Sequence, residues 1–135
     1  MIISNIMSEL GDQLDTIPGL RVKDYDADEI QVPAGLITLP MDIDYRGSFR
    51  GMRQLNLTVI VLVQSDTDRV RKDLITPYAD DEGSKSVIAT LERGNYTSFD
   101  SISVHRGRFR FYVFNQIKYL GIGFDSEITV TGKAT

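Results

Sequence analysis

The chain has no cysteine and one histidine, His105, among its 135 residues. The first absence excludes disulfides, thiolate nucleophiles and cysteine-ligated zinc or iron–sulfur centres. The second excludes histidine-cluster metal sites and leaves His105 as the one imidazole for acid–base chemistry. The longest apolar run, Val59 to Val63, is far below the roughly 20 residues that a membrane-spanning helix needs. The opening Met1-Ile2-Ile3-Ser4-Asn5 has no basic segment of the kind that begins a secretory signal. These features predict a soluble, intracellularly made protein without a membrane partner. Hydrophobic residues at 41% and charged residues at 25% predict one globular domain over 1–135, and exclude a disordered tail, a collagen-like fibre or a coiled coil.

Acids outnumber bases by 19 to 15. The net charge of −4 argues against a protein that grips nucleic acid by its phosphates. The charge is unevenly spread. Residues 1–30 hold seven acids (Glu9, Asp12, Asp15, Asp24, Asp26, Asp28, Glu29) against Arg21 and Lys23, a net −5. Residues 101–124 hold Arg106, Arg108, Arg110 and Lys118 with no acid, a net +4. Two solvated surfaces would account for this, and so would unlike faces that meet head to tail between subunits.

Apolar periodicity gives the elements. Ile3, Ile6, Met7, Leu10, Leu14 and Ile17 recur at helical steps up to a stop at Pro18-Gly19. Strands are expected at Leu20–Tyr25 and Pro33–Leu39, followed by a long projecting loop or hairpin arm at about 40–53. Gln54–Val63 is the strongest strand, with Leu55, Leu57, Val59, Val61 and Val63 on one face and Ile60 and Leu62 on the other. Ser65-Asp66-Thr67-Asp68 reads as a capping box for a helix that presents Val70, Leu74, Ile75 and Tyr78 and ends near Pro77. Ser84 reads as the cap of a short helix with Val87, Ile88 and Leu91 inward, closed by Gly94. Strand alternation then runs from Ser101 to Val130 around a turn at Asn115-Gln116. The expected fold is α+β, a mostly antiparallel sheet with an N-terminal helix and two central helices packed on one face. Leu57, Val59, Val61, Leu74 and Phe124 are expected in the core.

Little in the sequence carries chemistry. Asp42-Ile43-Asp44 and the acids Asp24, Asp26 and Asp28 could hold a hard cation, but neither run has the glycine and distal glutamate of an EF-hand loop. Gly121-Ile122-Gly123 lies within a strand pattern and so is no phosphate loop; glycines there favour close approach of another chain. No nucleophile elbow, glycosidase carboxylate pair or dinucleotide fingerprint is present, so neither a catalytic site nor a cofactor is expected. Arg106, Arg108 and Arg110 alternate with aromatics as a nucleic-acid platform would. At strand period, however, the arginines share one face and Phe109, Phe111 and Val113 the other. Phe109 and Phe111 are therefore expected in the core, with the basic face left for partner contact.

The order of these signals resembles the tail terminator (tail completion) proteins of long-tailed, siphovirus-type bacteriophages, in particular the actinobacterial-phage type. The resemblance runs over most of the chain. It includes the first helix ending in Ile17-Pro18-Gly19-Leu20-Arg21-Val22, the charged loop ending in Arg50-Gly51, and the strand Leu55–Val63. It continues through the helix led by Asp66, the segment Gly83–Glu92, and the closing Tyr119-Leu120-Gly121-Ile122-Gly123-Phe124.

The resemblance implies a structural virion protein rather than an enzyme. It would be made in the host cytoplasm and located at the head–tail junction, as a hexameric ring on the last ring of the major tail-tube protein. That ring stops tube polymerisation and meets the neck connector or stopper protein, while DNA passes through its lumen without sequence-specific binding. A head-completion or stopper neck protein is the alternative, and a small metal-binding phage enzyme using Asp42 and Asp44 a further one. For the subunit contact, Arg46, Arg50 and Arg53 are expected to face Asp26, Asp28 and Glu29 of a neighbouring copy.

Overall fold

The computed structural model describes residues 1–23, 30–45, 52–65, 69 and 71–131. Three helices, α1 (Ile3–Leu14), α2 (Lys72–Ala79) and α3 (Val87–Glu92), accompany a six-stranded sheet. Its strands are β1 (Arg21–Lys23), β2 (Ala34–Ile37), β3 (Asp42–Asp44), β4 (Arg53–Ser65), β5 (Ser101–Phe114) and β6 (Ile117–Val130). The order is β1-β2-β4-β6-β5, and β3 pairs with β4 on the side where β2 also lies. Only β1 and β2 run parallel, so the fold is α+β with a mostly antiparallel sheet.

The three helices lie on one face of this sheet. Ile6, Leu10 and Leu14 of α1, Ile75 and Tyr78 of α2, and Val87 and Leu91 of α3 join one buried cluster with Leu55, Leu57, Val59, Val61, Ile122, Phe124 and Ile128. The ladder explains why these side chains meet. Leu55, Val59 and Val61 pair with Ile128, Phe124 and Ile122, and directly paired residues point to the same face. On the open face a smaller cluster joins Leu36, Ile60, Leu62 and Tyr119, with Ile30 and Val32 packed against it. β4 is thus buried on both sides toward its end, as its sequence indicates.

Of the two readings of 40–53, loop or hairpin arm, the described part follows the second, since Asp42–Asp44 pairs with Gln54–Asn56 in a β3–β4 hairpin. Several local expectations are corrected. Ser65 is not the cap of α2. It is the last residue of β4, pairing with Tyr119, and α2 begins only at Lys72. The buried Gln64 side chain organises that junction by donating to the Arg69 carbonyl at 2.9 Å and accepting from the Arg71 N–H at 3.1 Å. Asp66, Asp68 and Val70 lie outside the described residues. α3 is capped by Ser86, whose hydroxyl accepts from the Ala89 N–H at 3.1 Å, and not by Ser84. Leu74 is exposed rather than in the core; α2 turns Ile75 and Tyr78 inward instead.

Glu9 fastens α1 to the segment before β5. Its carboxylate accepts from the backbone N–H of Ser98 at 2.6 Å and of Thr97 at 2.9 Å, and from the Thr97 hydroxyl at 3.1 Å. Hydrogen bonding by Ser98 and Thr97 holds the carboxyl down at about 2. Beside it, Tyr96 donates to the Leu91 carbonyl at 2.6 Å and stacks on Phe99. Burial, then the nearby Glu9 charge, pushes the Tyr96 phenol up to about 12.

Candidate interaction surface

β5 and β6 form a two-stranded arm whose turn, Asn115-Gln116, has both residues at positive φ (49° and 66°). This is the geometry of the two-residue hairpin turn that matches strand twist. The ladder opposes Phe109 to Ile122, Phe111 to Leu120 and Val113 to Lys118. These three β5 residues therefore extend the helix-covered face of the sheet. α3 contacts β5 near its start, where Glu92 accepts from the Val104 N–H at 3.0 Å, and leaves the distal half uncovered. Phe109, Phe111 and Val113 are each at least half exposed, which corrects their expected place in the core. Lys118 places its ammonium 4.7 Å above the Phe111 ring.

On the other face of β5, Arg106, Arg108 and Arg110 oppose Asp125, Gly123 and Gly121 and are exposed. A bulge at His105 shifts the alternation, so that Val104 keeps to the helix-covered face with Ser126 while Arg106 joins Asp125 on the other. His105 itself sits 3.4 Å from Glu127, Nε2 to Oε2. Tyr112 also lies on this face, over Gly123, where a Cβ would collide with its hydroxyl. Gly121 is equally constrained, since a Cβ there would stand 2.6 Å from the Val61 carbonyl oxygen. The two strand glycines thus serve close approach within the sheet. An open groove of about 400 Å³ runs across this face between Asp42 and Asn56 on one side and His105, Arg108, Arg110 and Tyr112 on the other. Its lining sets Arg108 and Arg110 beside Asp42 and Asp125. Because the arginines and Phe109 and Phe111 occupy opposite faces, they do not form one stacking platform.

Of the other expected site residues, Arg53 is half-buried at the start of β4. Arg46, Arg50, Asp26, Asp28 and Glu29 lie outside the described residues. Asp42 and Asp44 are exposed on β3. Among the described residues, no group of three histidine or carboxylate side chains is placed to hold a metal ion. Leu39, at the end of the expected strand Pro33–Leu39, and Met41 and Tyr45, which flank β3, are exposed apolar side chains that no sequence motif marks. No helix is long and apolar enough to cross a membrane among the described residues. No known family model matches the chain, and no curated protein matches its sequence.

Proposed function

We propose that this chain is a ring-forming structural protein of a long-tailed bacteriophage, a tail terminator that caps the tube, stops its growth and presents a surface to the neck. The reading rests on the order of sequence segments that resembles that family. The observation that carries it is the uncovered distal half of the β5–β6 arm, with Phe109, Phe111 and Val113 on one face and three arginines on the other. A long edge strand with exposed apolar side chains is a template for pairing with another chain. In a protein built to assemble, such a surface is an interface awaiting its partner. The unlike charges of the N-terminal and C-terminal parts favour heterologous contacts over a two-fold dimer.

The experiment adds purified chain to isolated tail tubes that lack it and images the tube ends. The proposal expects a single additional ring at one end and loss of the tubes' capacity to elongate with fresh tube subunits. Tubes that stay bare and keep growing would count against it.

A further inference from the structure

We infer that copies of this chain join head to tail by pairing the outer edge of β5 with the outer edge of β3 in the next copy, in one register that sets Ile43 opposite Phe109. The inference rests on the self-assembly part of the proposed function and is independent of the phage assignment.

Direction comes first. β3 is antiparallel to β4, β4 to β6, and β6 to β5, so β3 and β5 run in opposite directions at opposite sides of the sheet. A copy added edge to edge therefore continues the sheet as an antiparallel pair. Faces also match. Asp42 and Asp44 oppose Asn56 and Gln54, which puts both acids on the open face with Arg108 and Arg110. Ile43 opposes Leu55 and lies on the helix-covered face with Phe109.

Register follows from these two placements. In an antiparallel pair with Ile43 opposite Phe109, Asp42 falls opposite Arg110 and Asp44 opposite Arg108. Tyr45 then falls opposite Gly107, against which the Phe124 ring already packs. Shifting by two residues one way would place Ile43 against Gly107 and remove its apolar partner, although Asp42 and Asp44 would then face Arg108 and Arg106. Shifting the other way would place Ile43 against Phe111 but set Asp42 opposite Tyr112, losing one of the two charge pairs. The backbone agrees with this register. Phe114 and Ile117 close the two-residue hairpin, so Tyr112, Arg110 and Arg108 direct their backbone groups to β6, and Phe109 directs its own outward. The same alternation carried through β6 and β4 turns Asp42 and Asp44 inward and Ile43 outward. Ile43 and Phe109 can thus exchange backbone hydrogen bonds.

Other occupants fit less well. A two-fold β5–β5 pair would set the three arginines of one copy against those of the other, and like charges opposite one another are destabilising. The β1 edge offers Arg21, again basic. β3 is the edge whose charge complements β5. Pairing there steps each copy along the strands by the six ladder positions between Glu127 and Gly121, about 20 Å at strand rise. A constant stagger of this kind tilts strands as a sheet closes on itself, so it is compatible with a ring.

The test uses full-length chain, whose lack of cysteine makes introduced thiols unambiguous. Ile43→Cys and Phe109→Cys variants are mixed and treated with a short thiol cross-linker. The inference expects a covalent dimer from the mixture, little from either variant alone, and little when Ile43→Cys is mixed with Val113→Cys. Sedimentation of charge variants gives the second reading. Arg110→Glu should weaken self-association about tenfold or more, and adding Asp42→Arg to the same chain should restore most of it. Circular dichroism on each variant verifies folding. Three outcomes overturn the inference: a monomeric wild-type chain at every concentration, efficient cross-linking of Phe109→Cys alone, or unchanged association of folded Arg110→Glu. In the last case a ring could still form through another surface, and tube capping would still test the terminator reading.

Discussion

Phe111 and Leu120 stand opposite each other on one face of the β5–β6 ladder, yet Leu120 is 8% exposed and Phe111 50%. One residue pair thus straddles the margin of the helix layer. Inside that margin an apolar side chain supports the fold of the single copy; outside it, the side chain is available to a second one.

This boundary predicts two classes of substitution. Leu57→Ala and Phe124→Ala remove fully packed side chains and should lower unfolding free energy by about 2–5 kcal/mol. Phe111→Ala and Leu74→Ala should change it by less than about 1 kcal/mol in dilute solution, where no second copy covers them. Urea unfolding at low protein concentration measures both. A Phe111→Ala loss as large as that of Phe124→Ala would show that the arm packs within one copy.

The capping of α3 supplies a sharper local test. Ser86 is fully buried, donates to the Asp80 carbonyl and accepts from the Ala89 N–H, whereas Ser84 is exposed and outside the helix. Ser86→Ala should cost about 1–2 kcal/mol, and Ser84→Ala within about 0.5 kcal/mol of nothing. Thermal melts of the two single variants decide which serine caps the helix.

Acid should act through Glu9. Its carboxyl titrates at about 2 in the folded chain, against 4.5 as an ordinary value. A folded value below the unfolded one means that the contribution to stability is complete above about pH 4.5, and is lost as pH falls toward 2. The melting temperature of the wild-type chain should therefore exceed that of Glu9→Gln at neutral pH, and the gap should narrow through that window. A gap that is constant from pH 6 to pH 2.5 would mean that the bonds to Thr97 and Ser98 do not depend on ionisation.

The hairpin tip offers a stabilising change. Gln116 holds φ at 66°, where a side chain is disfavoured and glycine is not. Gln116→Gly creates the favoured Asn-Gly turn and should raise unfolding free energy by about 0.5–1 kcal/mol, read from the denaturation midpoint.

These residues also mark how far sequence alone reaches. The apolar faces of α1, β4 and β6 were legible because each is buried against the same core along its length, so period and burial coincide. On β5 they part company. Alternation shows that Phe109, Phe111 and Val113 share a face, but it carries no information on where the helices above that face end. The serine caps were ambiguous for a similar reason, since Ser84 and Ser86 both precede the apolar run. Only the backbone brings the Ala89 N–H to one of them. Within the candidate interface, the arginine strip was visible as composition, whereas β3 was hidden in a three-residue strand too short for period to reveal. Its acids and Ile43 acquired a direction and a face only through pairing with β4.

The proposed tail-terminator role is tested most directly by deleting the gene from the genome that encodes it and imaging, by electron microscopy, any phage particles that genome then yields. The account predicts filled heads unattached to tails, together with tubes of uncontrolled length, and recovery of joined particles when the wild-type chain is supplied in trans. Normal-length tails attached to heads in the deletion would contradict it.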